Sequence, residues 1–332
     1  MQVLKYLLVV CVIGVVSIGS TAYARLAKIT ENLNATVVIV GKKHNEIIKK
    51  ATVPVGMGTG VFISKDGIIL TNHHVIEGST SIDVYVYDET DSNTYVAEII
   101  GVDKLMDLAV LKIVSDELPS NFNVATFGDS PAHGDDVYMI GHPQSMGWTV
   151  TKGVVGHPER YMSTPWQRMI QTDSLIMPGN SGGPLFDEHG NLIGINTSLV
   201  PSKDNMNTQA WSMSIHVSDV QWALARILEW GDIRRPALNV SLEYKDKHMF
   251  ITPNAGGNLE RAGLRKKVML LKLNNAEISN YRDLYKFLKT KKDGDMVMVT
   301  IKDENDTEKE YFFNLESWSI LEKQETQENQ QK

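Results

Sequence analysis

Ser181 sits in "PGNSGGPLF", Pro178 to Phe186, a run too rich in glycine and proline to be comfortable as helix or strand. Such a run suits a solvated turn. It equally suits a reactive hydroxyl held clear of the backbone with bare N–H groups beside it. Two further fragments bear on the choice. "LTNHHVI" places His73 and His74 after the apolar run Ile68–Thr71, and "MDLAVLKI" places Asp107 at the start of another. A hydroxyl is a weak nucleophile at neutral pH unless a base takes its proton. Histidine suits that task because its pKa lies near neutrality. A carboxylate behind the imidazole fixes its tautomer and stabilises the charged ring. Each fragment alone has a bland reading as a turn, a satisfied polar residue or a strand with a leading aspartate. Together, in the order His, Asp, Ser, they predict nucleophilic acyl transfer, with the Gly179 and Ser181 amides, across Asn180, forming an oxyanion hole.

Two other chemistries fit less well. "GNSGG" matches the G-x-S-x-G nucleophile elbow, but that motif needs a strand before it and a helix after it. Here Pro184 and "LFD" follow. A His73–His74 metal pair is disfavoured because adjacent strand residues point to opposite faces and no acidic or histidine partners cluster nearby. Neither a metal nor a cofactor is expected.

The elements that must position these groups read as mainly β. "GTGVFIS" and "GIILTN" flank Asp66-Gly67, a hairpin signal. "IDVYVYD" alternates as a half-buried strand does, and short apolar runs follow at close intervals up to "LIGINTSL". Many short strands with regular turns predict an all-β barrel or sandwich. A helix closes this region, with Ser218 and Gln221 as a capping box and Gly231 at its C-terminal end. Its expected apolar stripe is Val217, Val220, Leu224, Ile227 and Leu228. After "GDIRRP" a smaller α+β unit begins, with one clear helix from Ser279 whose Tyr281, Leu284, Tyr285 and Leu288 share a face.

Of 332 residues, 42% are hydrophobic and 22% charged, as in ordinary globular proteins. A net charge of −7 and a pI near 5.7 argue against nucleic-acid binding, which favours a basic face. The single cysteine, Cys11, excludes an intrachain disulfide framework. It lies in a leader with Lys5, an apolar stretch and the Ala22-x-Ala24 end of a secretory signal peptide. The alternative is an uncut anchor, reaching spanning length only if the small residues up to Ala24 are counted. The body is therefore expected to be exported, either released or held by the anchor. The expected division is a leader over 1–24, a first domain over 25–232, a second over 235–316 and a polar tail over 317–332.

At the level of "GMGTGVFISKDGIILTNHHVI", "DLAVLKI", "GHPQSMGWTVTKGVV", "IQTDSLIMPGNSGGPLFDEHGNLIGINT" and, later, "LERAGL", the chain resembles the HtrA or Deg family of trypsin-like serine proteases. The resemblance implies a chymotrypsin-like double β-barrel followed by one PDZ domain. It implies His74 as base, Asp107 as its orienter and Ser181 as nucleophile. Misfolded or regulatory proteins would be the substrates, met in the periplasm or after secretion, or from an inner-membrane anchor facing the periplasm. Met177, Met213 and Ser214 would line the substrate pocket. The PDZ domain would take peptide C-termini between the Leu238-Asn239-Val240 loop and a helix wall carrying Leu284 and Leu288. A homotrimer is expected. The chain departs from the family at Met177, where Asn is usual, at Asn239, where Gly is usual, and at His216, where Pro is usual.

Overall fold

The computed structural model describes residues 26–44, 52–87, 94–115, 118–162, 164–200, 211–231 and 233–317. The leader with Cys11 and the polar tail lie outside these. The described residues divide into two compact units, one running to residue 160 together with 169–231, the other comprising 161–168 together with those after 231.

In the first unit, a short helix over 26–33 (α1) leads into β1 (Thr36–His44), β2 (Thr52–Phe62), β3 (Ile68–Thr71), β4 (Ser81–Val86), β5 (Thr94–Asp103) and β6 (Leu108–Ile113). These six strands close into a barrel in the order β1-β2-β3-β6-β5-β4. Its interior is filled by the alternating inward residues Val37, Ile39, Phe62, Ile69, Val84 and Leu111, all fully buried. The hairpin signal Asp66-Gly67 turns β2 into β3, with Gly67 at φ 87°.

A second barrel repeats the plan. It runs β7 (Asp136–Gly141), β8 (Thr149–Tyr161), β9 (Arg168–Thr172), β10 (Pro184–Asp187), β11 (Leu192–Val200) and β12 (Trp211–His216), closed in the order β10-β11-β12-β9-β8-β7. Met139, Ile170, Leu185 and Ile193 lie in its core. The fold is thus the chymotrypsin-like double barrel.

Helix α3 (Val217–Trp230) ends this unit. Its cap is not the expected Ser218 but His216, whose Nδ1 accepts the Ser218 N–H at 3.2 Å. The helix therefore starts one residue before Ser218. The buried stripe is Val217, Val220, Ala223 and Ile227, while Leu228 faces solvent. Gly231 ends the helix as expected, at φ 69° with its N–H on the Ile227 carbonyl.

The second unit carries a sheet in the order β14-β15-β16-β18-β19: β14 (Val240–Lys245), β15 (His248–Pro253), β16 (Val268–Leu273), β18 (Met296–Lys302) and β19 (Glu308–Asn314). Two-residue strands β13 (Pro236–Ala237), β17 (Ala276–Glu277) and β20 (Glu316–Ser317), a short α4 (Asn258–Arg261) and α5 (Tyr281–Lys289) complete it. The α5 cap is Asn280, accepting the Asp283 N–H at 3.0 Å, so the helix starts two residues later than Ser279. Leu284, Tyr285, Phe287 and Leu288 are buried, and Tyr281 only half so.

Candidate active site

His74 stands on a single helical turn, α2 (His73–Ile76), directly after β3. Asp107 ends the turn between β5 and β6 at φ 58°, a left-handed conformation that aspartate tolerates better than most residues. Its carbonyl accepts the Asn72 Nδ2 at 2.8 Å and the His73 N–H at 3.3 Å, which ties this turn to α2. One carboxylate oxygen, Oδ1, accepts the His74 main-chain N–H at 2.9 Å. The other, Oδ2, lies 2.6 Å from His74 Nδ1. A carboxylate only accepts, so Nδ1 carries the proton and Nε2 is left as the basic nitrogen. The Asp107 hydrogen bond is the main cause that raises the His74 pKa, against the opposing effect of burial.

The second barrel supplies the rest. Thr197 is an extra residue in β11, where the register against β12 slips between Asn196 and Ser198. Its Oγ1 donates to Asp107 Oδ2 at 2.6 Å. Its carbonyl accepts the Ser181 hydroxyl at 3.4 Å. Thr197 thus touches both the carboxylate and the hydroxyl. Among the described residues no hydrogen bond joins His74 to Ser181.

Ser181 follows the turn Met177-Pro178-Gly179-Asn180, closed by the Asn180 N–H on the Met177 carbonyl at 3.0 Å. Gly179 has φ 103°, and a Cβ there would lie 2.2 Å from the His142 carbonyl oxygen. Proline second and a positive-φ glycine third make this a type II turn. Its carbonyls are pinned outward. That of Pro178 accepts the Gln144 N–H at 3.0 Å, and that of Gly179 accepts the Thr59 hydroxyl at 2.6 Å. The Ser181 carbonyl accepts the Thr59 N–H at 2.8 Å. The amides of Gly179 and Ser181 donate to no protein acceptor among the described residues. Two bare N–H groups beside a hydroxyl are what a developing oxyanion needs. Asn180 is buried, its Oδ1 without a protein partner among the described residues. His142, half-buried beneath the turn, has its pKa lowered by burial.

His74, Asp107 and Ser181 therefore come together at the junction of the barrels, with Gly179 and Asn180 beside them. The expected pocket residues are placed less simply. Met177 is half-buried in the turn and Met213 is buried in β12. Ser214 is fully buried with its hydroxyl on Asn196 Oδ1 at 2.8 Å, a tie between β11 and β12. Sequence reasoning missed Thr197 and Thr59. Each is a threonine in a β-like run, and nothing local distinguishes it from an ordinary strand residue. Among the described residues no group of three or more His, Cys, Asp or Glu side chains could hold a metal ion.

In the second unit a cavity of about 260 Å³ is lined by Leu238, Asn239, Val240, Leu242, Leu284 and Leu288, among others. All five residues expected at the peptide groove face this one space. Asn239 adopts φ 52°, a left-handed conformation that asparagine tolerates better than most residues. Its side chain is held by Glu316 Oε2 at 2.9 Å and Asn254 Nδ2 at 3.0 Å.

Two six-stranded barrels meeting at such a site define a trypsin-like peptidase domain, and residues 58–195 match the family of that description. The chain is 34% identical over 280 residues to "Serine protease Do-like HtrA" of Bacillus subtilis, covering 74% of this chain and 60% of that protein. It is 32% identical over 255 residues to "Serine endoprotease DegS" of Haemophilus influenzae, covering 74% of this chain and 73% of the relative. The solved structure "HtrA-type protease AlgW with tripeptide" superposes with a TM-score of 0.73 at 26% identity, over 88% of this chain and 97% of that one. The chain belongs to the HtrA/Deg family of trypsin-like serine proteases. It spans between 52% and 61% of the length of several relatives, including the chloroplastic "Protease Do-like 1" of Arabidopsis thaliana.

Proposed function

We propose that this chain is an exported serine endopeptidase acting on misfolded or regulatory proteins, and that its second unit is a PDZ domain that takes peptide C-termini. The observation that carries the first part is Thr197. It bonds Asp107 with its hydroxyl and Ser181 with its carbonyl, so three side chains remote in sequence share one small volume. On substrate binding, the Ser181 hydroxyl leaves Thr197 for Nε2 of His74; such bonds often tighten only in the substrate complex. Oγ then attacks the peptide carbonyl while Nε2 takes its proton. The amides of Gly179 and Ser181 receive the oxyanion. The imidazolium, balanced by Asp107, returns the proton to the leaving amine, and water releases the acyl-enzyme by the same route.

The groove supports the second part. The Asn254 N–H donates to the Asn239 carbonyl at 3.1 Å. The alternation of antiparallel pairing then turns the main-chain groups of Val240 and Leu242 away from β15. Strand β14 is the sheet's outer edge, and an extended peptide can add to it with its apolar end against Leu284 and Leu288. The AlgW structures were solved with peptides, and a relative in Bartonella henselae is named "Probable periplasmic serine endoprotease DegP-like". These names favour peptide substrates and a periplasmic setting. The leader remains the proposed route of export or anchoring, and a homotrimer the proposed assembly. Among the described residues no helix is long and apolar enough to cross a membrane.

A second reading is a non-catalytic peptide sensor on a protease scaffold. The Ser181 hydroxyl bonded to Thr197 instead of His74 favours it. A fluorophosphonate probe decides. Covalent labelling of Ser181, with casein cleavage lost in a folded Ser181→Ala variant, supports the protease. An unlabelled protein, or an alanine variant that still cleaves, overturns it.

A further inference from the structure

We propose that Thr59 is a positioning residue that holds the oxyanion turn in its productive form, an inference that rests on the protease reading above. Thr59 lies in β2 of the first barrel and is 1% exposed. Its hydroxyl and its N–H are both engaged around the turn of the second barrel. Its hydroxyl donates to the Gly179 carbonyl at 2.6 Å and accepts the His142 N–H at 3.1 Å. Its own N–H holds the Ser181 carbonyl at 2.8 Å, and its carbonyl accepts the Thr71 hydroxyl at 2.7 Å.

The consequence follows from turn geometry. Types I and II share a hydrogen-bonding frame and differ by a half-turn of the central peptide. In this turn the central peptide is Pro178–Gly179, and glycine accepts either sign of φ, so nothing intrinsic to the residue fixes the choice. In the observed type II form the Gly179 N–H is free for an oxyanion. In the alternative form the Pro178 carbonyl would take its place and repel the negative charge. One external bond bears on the flipping peptide itself, the Gln144 N–H on the Pro178 carbonyl; a second, the Thr59 hydroxyl on the Gly179 carbonyl, anchors the peptide that follows it. Only the second comes from a side chain, and it also fixes the His142 end of the 142–145 segment that supplies the first. A single hydroxyl from one barrel thus holds both the end of the turn and the segment whose Gln144 N–H keeps the Pro178 carbonyl turned away from the oxyanion position.

The test compares the full-length chain with Thr59→Val, Thr59→Ser and Thr59→Ala. The fluorophosphonate labelling rate of Ser181 is measured for each, with casein cleavage normalised to labelled sites and a thermal melt. Valine keeps the shape and loses the hydroxyl. Its labelling rate should fall about 10- to 100-fold, less than the loss seen on deleting an oxyanion donor outright. Serine should restore the rate to within about twofold, and the midpoint of the labelling pH profile should stay where His74 sets it. Should the valine variant fail to fold, the serine-to-alanine ratio reads the same effect. The inference is overturned if valine labels as fast as the wild type, if serine fails to rescue a folded protein, or if the pH midpoint moves. A wild-type chain that does not label at all removes the protease reading itself, which is a distinguishable result.

Discussion

Asp107 and His74 make a pair whose acid–base behaviour can be worked out in sign. The Asp107 hydrogen bond raises the His74 pKa above its ordinary value near 6.5. A base must be neutral to take a proton, so activity should rise with pH through this raised value and fall below it. Stability runs the other way. The folded state binds the proton more tightly than the unfolded one. The contribution is therefore complete below about pH 6.5 and is lost as pH climbs through the folded pKa. Labelling rate and thermal midpoint, measured across pH 5 to 9, should cross; a flat labelling profile would count against a histidine base. Thr197→Val tests the carboxylate's other partner. It removes one hydrogen bond to a charged group, so the casein turnover rate should fall by about 10- to 100-fold. A variant within twofold of wild type would mean that Asp107 needs no help from β11.

At the scale of elements, β11 and α3 show two ways in which a strand or helix places a functional group. The extra residue in β11 breaks the two-residue alternation and turns Thr197 toward Asp107. Bulges re-aim side chains in this way beside active sites. Helix α3 depends on its ends. His216 supplies a side-chain acceptor for the first turn. Gly231 takes the left-handed exit. A Cβ there would meet nothing within 4 Å, so the cost of Gly231→Ala is that of the backbone alone. A chemical melt should show a loss of about 1 kcal/mol with turnover by the folded fraction unchanged. A loss several times larger would show that packing, not φ, governs this position.

At the scale of the whole molecule, the two units set a question about control. One holds the barrels and the other the apolar groove beside an unpaired strand edge. A peptide with a free apolar C-terminus should bind the full chain, and Leu284→Asp, which puts a charge into the groove, should abolish that binding while leaving basal labelling of Ser181 intact. If the peptide also raises the labelling rate, the groove governs catalysis. If it binds without effect, the second unit serves to recruit substrate. If it binds the aspartate variant equally well, the groove is not its site.

Much of this was legible from sequence because it is local or periodic. The alternation in "IDVYVYD", the Asp66-Gly67 turn, the glycine at 231 and the apolar face of α5 each report a short-range rule of backbone sterics or burial. The order of His74, Asp107 and Ser181, and the proline–glycine turn before the serine, named the chemistry for the same reason: a nucleophile's backbone requirements are written within a few residues of it. Contacts that join one barrel to the other were not legible. Thr59 and Thr197 look like any strand threonine, and only the docking of two barrels aims one at the oxyanion turn and the other at the carboxylate. Caps were misread in the same way. His216 caps α3 where local pattern gave Ser218, and α5 begins after its cap Asn280 where local pattern began it at Ser279, because where a helix leaves its neighbouring strand is decided by packing. The sequence by itself determined which groups are candidates for the reaction and which turns hold them. Tertiary structure decided which otherwise ordinary hydroxyls fix their orientation, since orientation depends on atoms 90 and 120 residues apart in the chain being held within hydrogen-bonding range.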